Sequence, residues 1–481
     1  MQPVQNYVDG EWTDSDSGKT FETVNPAAPG EAVAAYQEST ASDADAAVAA
    51  AADAQQEWAA VPAPERGAVL KSAGDGLAER KAELTAHLTR EEGKTHAEAG
   101  GEVQRAIDIF HYYAQKTRDL GGTVKSSSGR RRNLYIREEP VGVTALVTPW
   151  NYPIAIPAWK IAPALAAGNA VTIKPASLAP GPAVSIVEAL DAAGIPDGVI
   201  NLVTGPGSTV GNGVVGHDRV DAVSFTGSSA VGKTVYDLAT DDSKRVQTEM
   251  GGKNPTIVTE SADVEEAADV VASGAFGVTG QACTAGSRAI VYESVHDEFV
   301  DAVVDRATAI DVGPGEEYGM GPQVSESERQ STLEYIDVAE QQGATLAAGG
   351  EALDGGRFGD GYFVAPTVFS DVSPDHRIAQ EEVFGPVLAV LEVDGFEDAI
   401  DAANNVEYGL SASILTRNHT EANRFVDEIE AGVAKINEKT TGLELHVPFG
   451  GFKRSSSETW REQGDAGLAF YTIEKTVYEN F

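Results

Sequence analysis

Apolar residues recur with two different spacings along this chain. Through the first third they fall mostly three and four apart, the period of a helix that buries one face. After a short extended start, three helices are predicted there. The first spans 43–60, is alanine-rich and takes Ser42 as its N-cap; the second spans 64–92 and the third 98–116. The polar, glycine-rich stretch GGTVKSSSGRRR at 121–132 predicts a turn or hairpin leaving the main body.

From residue 141 the pattern changes to short unbroken apolar runs: VGVTALVT at 141–148, AVTIK at 170–174, VINLV at 199–203 and AVSF at 222–225. Helix-length segments, 155–167 and 181–193, lie between them. Short buried strands alternating with helices imply βαβ units and a parallel sheet. Ligands of such sheets bind beyond the carboxyl ends of the strands. The loops 149–153, 175–180 and 226–232 are therefore the expected binding loops. A second α/β set follows Gly251, with strands at 256–258, 289–292, 387–393 and 412–415. The tail, 468–478, reads as a long extended run, and its edge needs a partner. A neighbouring subunit is the expected one.

Composition narrows this picture. A chain of 481 residues, 42% of them hydrophobic, is long enough for two or three lobes. Its 74 acidic and 35 basic residues give a net charge of −39, spread along the chain without a tail. Such a surface disfavours nucleic acid and anionic membranes as partners. An acidic excess of this size is expected of a protein that works in high salt, where counterions screen self-repulsion. One cysteine excludes an internal disulfide and a multi-cysteine zinc site. The eight histidines contain no H-x-x-x-H pair, so no metal site is expected. Neither a signal pattern nor an 18-residue apolar run is present, and a cytoplasmic protein is expected.

Several short strings carry candidate chemistry. Gly205-Pro-Gly207-Ser-Thr-Val-Gly211 has the wrong spacing for a dinucleotide fingerprint. Phe225-Thr-Gly227-Ser228-Ser-Ala-Val-Gly232 is a better phosphate loop: it follows a strand and opens a helix, so amides and the Ser228 hydroxyl can meet a pyrophosphate. Cys283, in GQACTAGSR, is either a small buried hydrophobe or a nucleophile in a setting of little side-chain bulk. Glu249, before Met250-Gly251-Gly252, is a turn residue or a general base. Asn151, in TPWNYP, either satisfies its own turn or, fixed by the flanking prolines, donates to an oxyanion. Lys174 ends a strand, where it either faces water or reaches ribose hydroxyls or a phosphate.

Taken together these strings resemble the aldehyde dehydrogenase superfamily. TPWNYP, WKIAPALAAGN, IKPAS, FTGSSAVG, EMGGKNP, GQACTAGSR, EEVFGPV and PFGGFK occur in that order over nearly the whole chain. The resemblance implies a doubly wound Rossmann-like cofactor domain (1–117 with 141–251), a second α/β catalytic domain (252–459) and a small β oligomerisation arm (118–140 with 460–481) that makes a homodimer or homotetramer. It implies Cys283 as nucleophile, Asn151 with the Cys283 amide as oxyanion hole, Glu249 as general base, and Lys160 with Asp465 as proton relay. Lys174 would contact the adenosine ribose, Gly227, Ser228 and Trp150 the pyrophosphate region, and Glu382 and Phe384 the nicotinamide ribose and ring. Many NAD-preferring members carry a glutamate where this chain has Ser177. Its absence removes repulsion of a 2′-phosphate, so NADP is the expected cofactor, with NAD accepted. The stretch 435–450 and Arg461-Glu-Gln-Gly are similar to a branch that oxidises 2,5-dioxopentanoate to 2-oxoglutarate. Another semialdehyde or a broad aldehyde range is the alternative, and a non-enzymatic scaffold is disfavoured because Cys283, Asn151 and Glu249 are all present. Arg454, Arg288 and His446 are candidates for a substrate carboxylate by position alone, Arg288 more as a tie for its own loop.

Overall fold

A computed structural model describes residues 2–315 and 317–481. Two seven-stranded sheets and a small three-stranded sheet organise it. In the first sheet the strands run in the order Arg245–Glu249, Ala222–Thr226, Val143–Val147, Ala170–Lys174, Ile200–Leu202, Asn6–Val8, Glu11–Thr13. The first five are parallel, and the two N-terminal strands add antiparallel at one edge. The chain enters the parallel part of this sheet in the middle, at Val143–Val147. It winds one way to Ile200–Leu202, then crosses back to Ala222–Thr226 on the other side. A topological switch point therefore opens between Val143–Val147 and Ala222–Thr226, where the connections leave in opposite directions and a crevice forms past the strand ends.

The strands are apolar on both faces because helices cover both. Helix Ala155–Ala167 lies at the centre and is buried almost all round, including Pro163 and Lys160. The second sheet has the order Thr345–Ala348, Thr367–Ser370, Val387–Val393, Gly286–Tyr292, Asn254–Val258, Ser411–Leu415, Val433–Ile436. All its neighbours are parallel except the edge strand Thr345–Ala348.

Three expectations about local structure need correction. The first helix, Ala41–Ala60, is capped by Thr40, not Ser42. Thr40 has an extended backbone and accepts from the Asp43 amide, while the Asp43 carboxylate takes the Thr40 amide at 2.7 Å, a reciprocal box that Ser42 cannot form. The segment expected as one helix over 64–92 is two, Ala63–Glu79 and Lys81–Glu92. Arg80 breaks the turn between them (φ −97°, ψ 8°), and its ion pairs to Glu83 and Glu188, each 2.8 Å, hold the corner. The tail is not extended from 468: helix Gly464–Phe470 comes first and strand Thr472–Asn480 follows. That strand has a partner within its own chain. It pairs antiparallel with Arg132–Pro140, which in turn pairs with Gly122–Lys125, so the glycine-rich stretch does form a hairpin.

Candidate active site

The loop leading to Cys283 is held in a strained form. Val278 and Thr279 adopt φ of 53° and 57°, and Gly280 follows at 68°. Left-handed backbone is costly for β-branched residues and persists only when the surroundings fix it. Here the Val278 amide donates to Glu98 Oε1 at 2.6 Å, the Thr279 hydroxyl to the Gly321 carbonyl at 3.1 Å, and the Val324 amide to Gln281 Oε1 at 2.9 Å. At Gly280 a Cβ would stand 2.1 Å from the Gly385 carbonyl oxygen, so no side chain fits. The Asn254 amide donates to the carbonyls of Cys283 (2.8 Å) and Ala285 (2.9 Å). Cys283 therefore sits, part-buried, at a fixed place on the floor of the crevice.

Asn151 comes from the loop after strand Val143–Val147. It is 3% exposed, and its Nδ2 donates to the Gln281 carbonyl at 2.9 Å, which aims the amide at the Cys283 loop. Burial, together with the carboxylates of Glu382, Glu249 and Glu462, pushes the Cys283 thiol up to about 12. The resting thiol is thus protonated, and its ionisation needs a nearby proton acceptor.

Glu249 ends strand Arg245–Glu249 and is 1% exposed. Its Oε2 accepts the Gly451 amide at 3.0 Å, and its Oε1 has no partner among the described residues. Burial, then the charge of Glu462, holds this carboxyl well above the ordinary carboxylate range. Glu462 is ion-paired with Lys160, whose ammonium also donates to Ser224 Oγ at 2.6 Å, and Ser224 donates to Gln247 Oε1 at 2.8 Å. A buried chain of titratable groups thus leads inward from Glu249.

The crevice itself is a cavity of about 190 Å³ lined in part by Trp150, Asn151, Gly227, Ser228, Cys283 and Glu382. Ser228 caps helix Ser229–Asp241, so that helix's N-terminal amides face the opening. Phe384 stands edge-on to Trp150, ring centroids 5.4 Å apart. Glu382 accepts the Gly252 amide at 2.9 Å, and burial raises its carboxyl to about 7. At Gly251 a Cβ would lie 1.9 Å from a Glu382 oxygen, so a side chain there would displace the Glu382 carboxylate.

Two buried hydroxyls around the switch point, Thr148 Oγ1 and Thr226 Oγ1, lack partners among the described residues. Lys174 beside them is 6% exposed, with no charged or hydrogen-bonding neighbour shifting its ammonium. Burial alone lowers the Lys174 ammonium to about 8. Ser177 donates to the Gly205 carbonyl at 3.0 Å, and the Gly207–Gly211 turn packs against the Lys174 stem. Unpaired donors ringing a crevice at a helix N-terminus fit a phosphorylated, hydroxyl-rich ligand.

Other expected residues lie elsewhere. Asp465 is 80% exposed at its side chain and pairs with Lys116 at 2.7 Å, so it is not beside Lys160. Glu462 takes that place. Helix Gly464–Phe470 carries Asp465 outward, whereas Glu462, whose backbone bonds to Phe449, points in. No spacing in the sequence links Glu462 to Lys160, 302 positions away. Arg288 is buried and donates to the carbonyls of Lys253, Ala402 and Ala403, so it ties the second lobe together. Arg454 pairs with Glu407 at 2.6 Å in the open, and His446 is exposed beside Glu444.

Residues 12–477 match the model of the aldehyde dehydrogenase family. The chain is 67% identical to the alpha-ketoglutarate semialdehyde dehydrogenase of Haloferax volcanii over 100% of this chain and 99% of that protein. It is 42% identical to the 2,5-dioxopentanoate dehydrogenase of Saccharolobus solfataricus over the full length of both. Among solved structures, the betaine aldehyde dehydrogenase of Staphylococcus aureus in complex with NAD+ superposes with a TM-score of 0.96 at 36% identity, covering 99% of this chain and 94% of that one. A 3,6-anhydro-L-galactose dehydrogenase in complex with NADP gives 0.96 at 37% over the full length of both.

A nicotinamide-dependent oxidoreductase built on two parallel sheets, with a cysteine at the switch-point crevice, is thus the class that fold and site define. The chain belongs to the aldehyde dehydrogenase family. No helix of the described residues is long and apolar enough to cross a membrane.

Proposed function

We propose that this chain oxidises 2,5-dioxopentanoate to 2-oxoglutarate through a thioester on Cys283, with NADP preferred and NAD accepted. The observation that carries the substrate is the 67% identity, over the whole chain, to a relative named for that semialdehyde. Cofactor choice is supported by Ser177, which brings no carboxylate to the pocket end near the buried Lys174 ammonium.

In this reading Cys283 loses its proton to an acceptor in the crevice, and its sulfur bonds to the aldehyde carbon. The Asn151 amide, with the Cys283 N–H, holds the oxygen as it becomes negative, a contribution of roughly 3–4 kcal/mol where comparable donors have been removed. Lys174, Ser228 and Glu382 would hold the nicotinamide cofactor, which would supply the acceptor for the hydride leaving the carbon bonded to sulfur. What remains on Cys283 is a thioester. Glu249, through its unpaired Oε1, then takes a proton from water as the water oxygen attacks the thioester carbon, and the acid leaves with the sulfur released. Lys160 and Glu462 move that proton away from Glu249. The outer edge of strand Thr472–Asn480, with Ile473, Tyr478 and Phe481 exposed, is assigned to pairing with a second copy in a homodimer or homotetramer.

Initial rates in molar KCl test this, with 2,5-dioxopentanoate and with simple aldehydes, for wild type and Cys283→Ala. Cysteine-dependent turnover fastest with 2,5-dioxopentanoate and NADP is expected. Turnover of simple aldehydes alone would discard the substrate, and full activity in Cys283→Ala would discard the mechanism.

A further inference from the structure

Helix His96–Lys116 lies outside the crevice, yet its start holds both loops that meet at the nucleophile. Lys94, just before its Thr95 cap, is 2% exposed. Its ammonium donates to Glu102 Oε2 at 2.5 Å and to the backbone carbonyl of Asn151 at 2.8 Å, and lies 4.5 Å from the centre of the Tyr152 ring. The other oxygen of Glu102 accepts the amides of Ile154 (3.0 Å) and Ala155 (3.1 Å), where helix Ala155–Ala167 begins. One ion pair thereby clamps the Asn151 carbonyl to the helix start that follows it. Glu98, one turn earlier, bonds Thr95 with Oε2 and takes the Val278 amide with Oε1, fixing the strained approach to Cys283.

The stability of the fold does not require this arrangement. Two buried charges pay a desolvation penalty that their attraction only roughly offsets, and a well-packed apolar pair does as well or better. Glu92 lies farther from the Lys94 ammonium, at 3.7 Å against 2.5 Å for Glu102, and burial raises its carboxyl to about 8, so Glu102 is the nearer partner. The directional bonds of that pair reach the Asn151 carbonyl and the helix start, so what it adds is the placement of that loop.

We propose that Lys94, Glu98 and Glu102 are positioning residues that register the Asn151 amide against the Cys283 loop, lowering the barrier to carbonyl attack without touching substrate or cofactor. This rests on Asn151 being the oxyanion donor. Misplacing such a donor by about 1 Å slows the reaction on the order of a hundredfold.

The test is a mutant cycle read on the first-turnover burst of reduced cofactor, with cofactor affinity and melting temperature measured alongside. Lys94→Met/Glu102→Leu, which removes both charges together, is expected to slow the burst by about tenfold to a hundredfold with cofactor affinity unchanged. In an Asn151→Ala background the same pair should slow it no more than about twofold further, because the residue it positions is gone. Equal losses in both backgrounds would overturn the proposal. An Asn151→Ala enzyme with a normal burst would remove the oxyanion reading itself, and this inference with it. Should the double variant not fold, Glu98→Ala, at a half-buried site, carries the same cycle. It should slow the burst, with Glu98→Gln restoring it through the retained acceptor for Val278. A Glu98→Ala enzyme with an unchanged burst would likewise overturn the proposal.

Discussion

Lys174→Met should stabilise the protein without cofactor while weakening its grip on cofactor. Lys174 is 6% exposed, and no charged or hydrogen-bonding neighbour among the described residues offsets its burial. Burial lowers it from 10.5 to about 8. At 1.36 kcal/mol per pKa unit, the folded protein carries a penalty of about 3 kcal/mol for keeping this group charged at pH 7. Between the two values the unfolded chain holds a proton that the folded chain has released, so stability rises with pH across that window and the penalty is complete below it. Methionine fills a similar volume without the charge. At pH 7 the variant should melt a few degrees above wild type, and the gap should close as pH approaches 10.5. Its dissociation constant for NADP should rise at least about tenfold, the loss of one charge-assisted contact. Differential scanning calorimetry across pH, paired with fluorescence titration of cofactor, reads both. A variant that melts below wild type, or binds NADP as tightly, refutes the assignment of Lys174 as a buried cation kept for a ligand.

Other expectations follow from the site. Glu249→Gln should keep the burst of reduced cofactor but lower steady turnover roughly 10²–10³-fold. Wild-type turnover should climb with pH as the raised Glu249 carboxyl ionises, and the glutamine variant should lack that rise; a variant that keeps it would reassign the base. Gly280→Ala forces a side chain at φ 68° and within 2.1 Å of the Gly385 carbonyl, so it should lose at least about 1–2 kcal/mol from the backbone alone, visible as a lower melting temperature. Arg288→Met strands the carbonyls of Lys253, Ala402 and Ala403 and should destabilise by about 3 kcal/mol, with KM for the aldehyde unchanged in whatever enzyme remains folded. A raised KM there would return Arg288 to the substrate site.

Much of the architecture was legible because its cues are local. The β-branched runs at 141–148, 170–174 and 222–225 became neighbouring parallel strands, since a run buried on both faces has no other comfortable place. The glycine-rich stretch near 121–132 became a hairpin for equally local reasons. Where two cues competed, the finer one won: Thr40 with Asp43 outranked Ser42 as a cap, and Arg80 broke a helix that periodicity had run through. The carboxylate expected beside Lys160 was misplaced because helix Gly464–Phe470 turns Asp465 outward, three residues after Glu462 turns in.

The sequence by itself determined the order of elements, the strand ends at which polar residues would gather, and the choice of Cys283, Asn151 and Glu249 as the side chains proposed to carry the chemistry. These depend on short-range patterning and residue type, which the linear chain displays. Only the tertiary structure decided which carboxylate faces Lys160, that the Lys174 side chain is buried with no charged neighbour among the described residues shifting it, and that one helix start ties Asn151 and Cys283 together. Burial and pairing between residues hundreds of positions apart exist only once the chain has closed on itself. It is burial that moves the protonation of Cys283, Glu249 and Lys174 furthest from ordinary values.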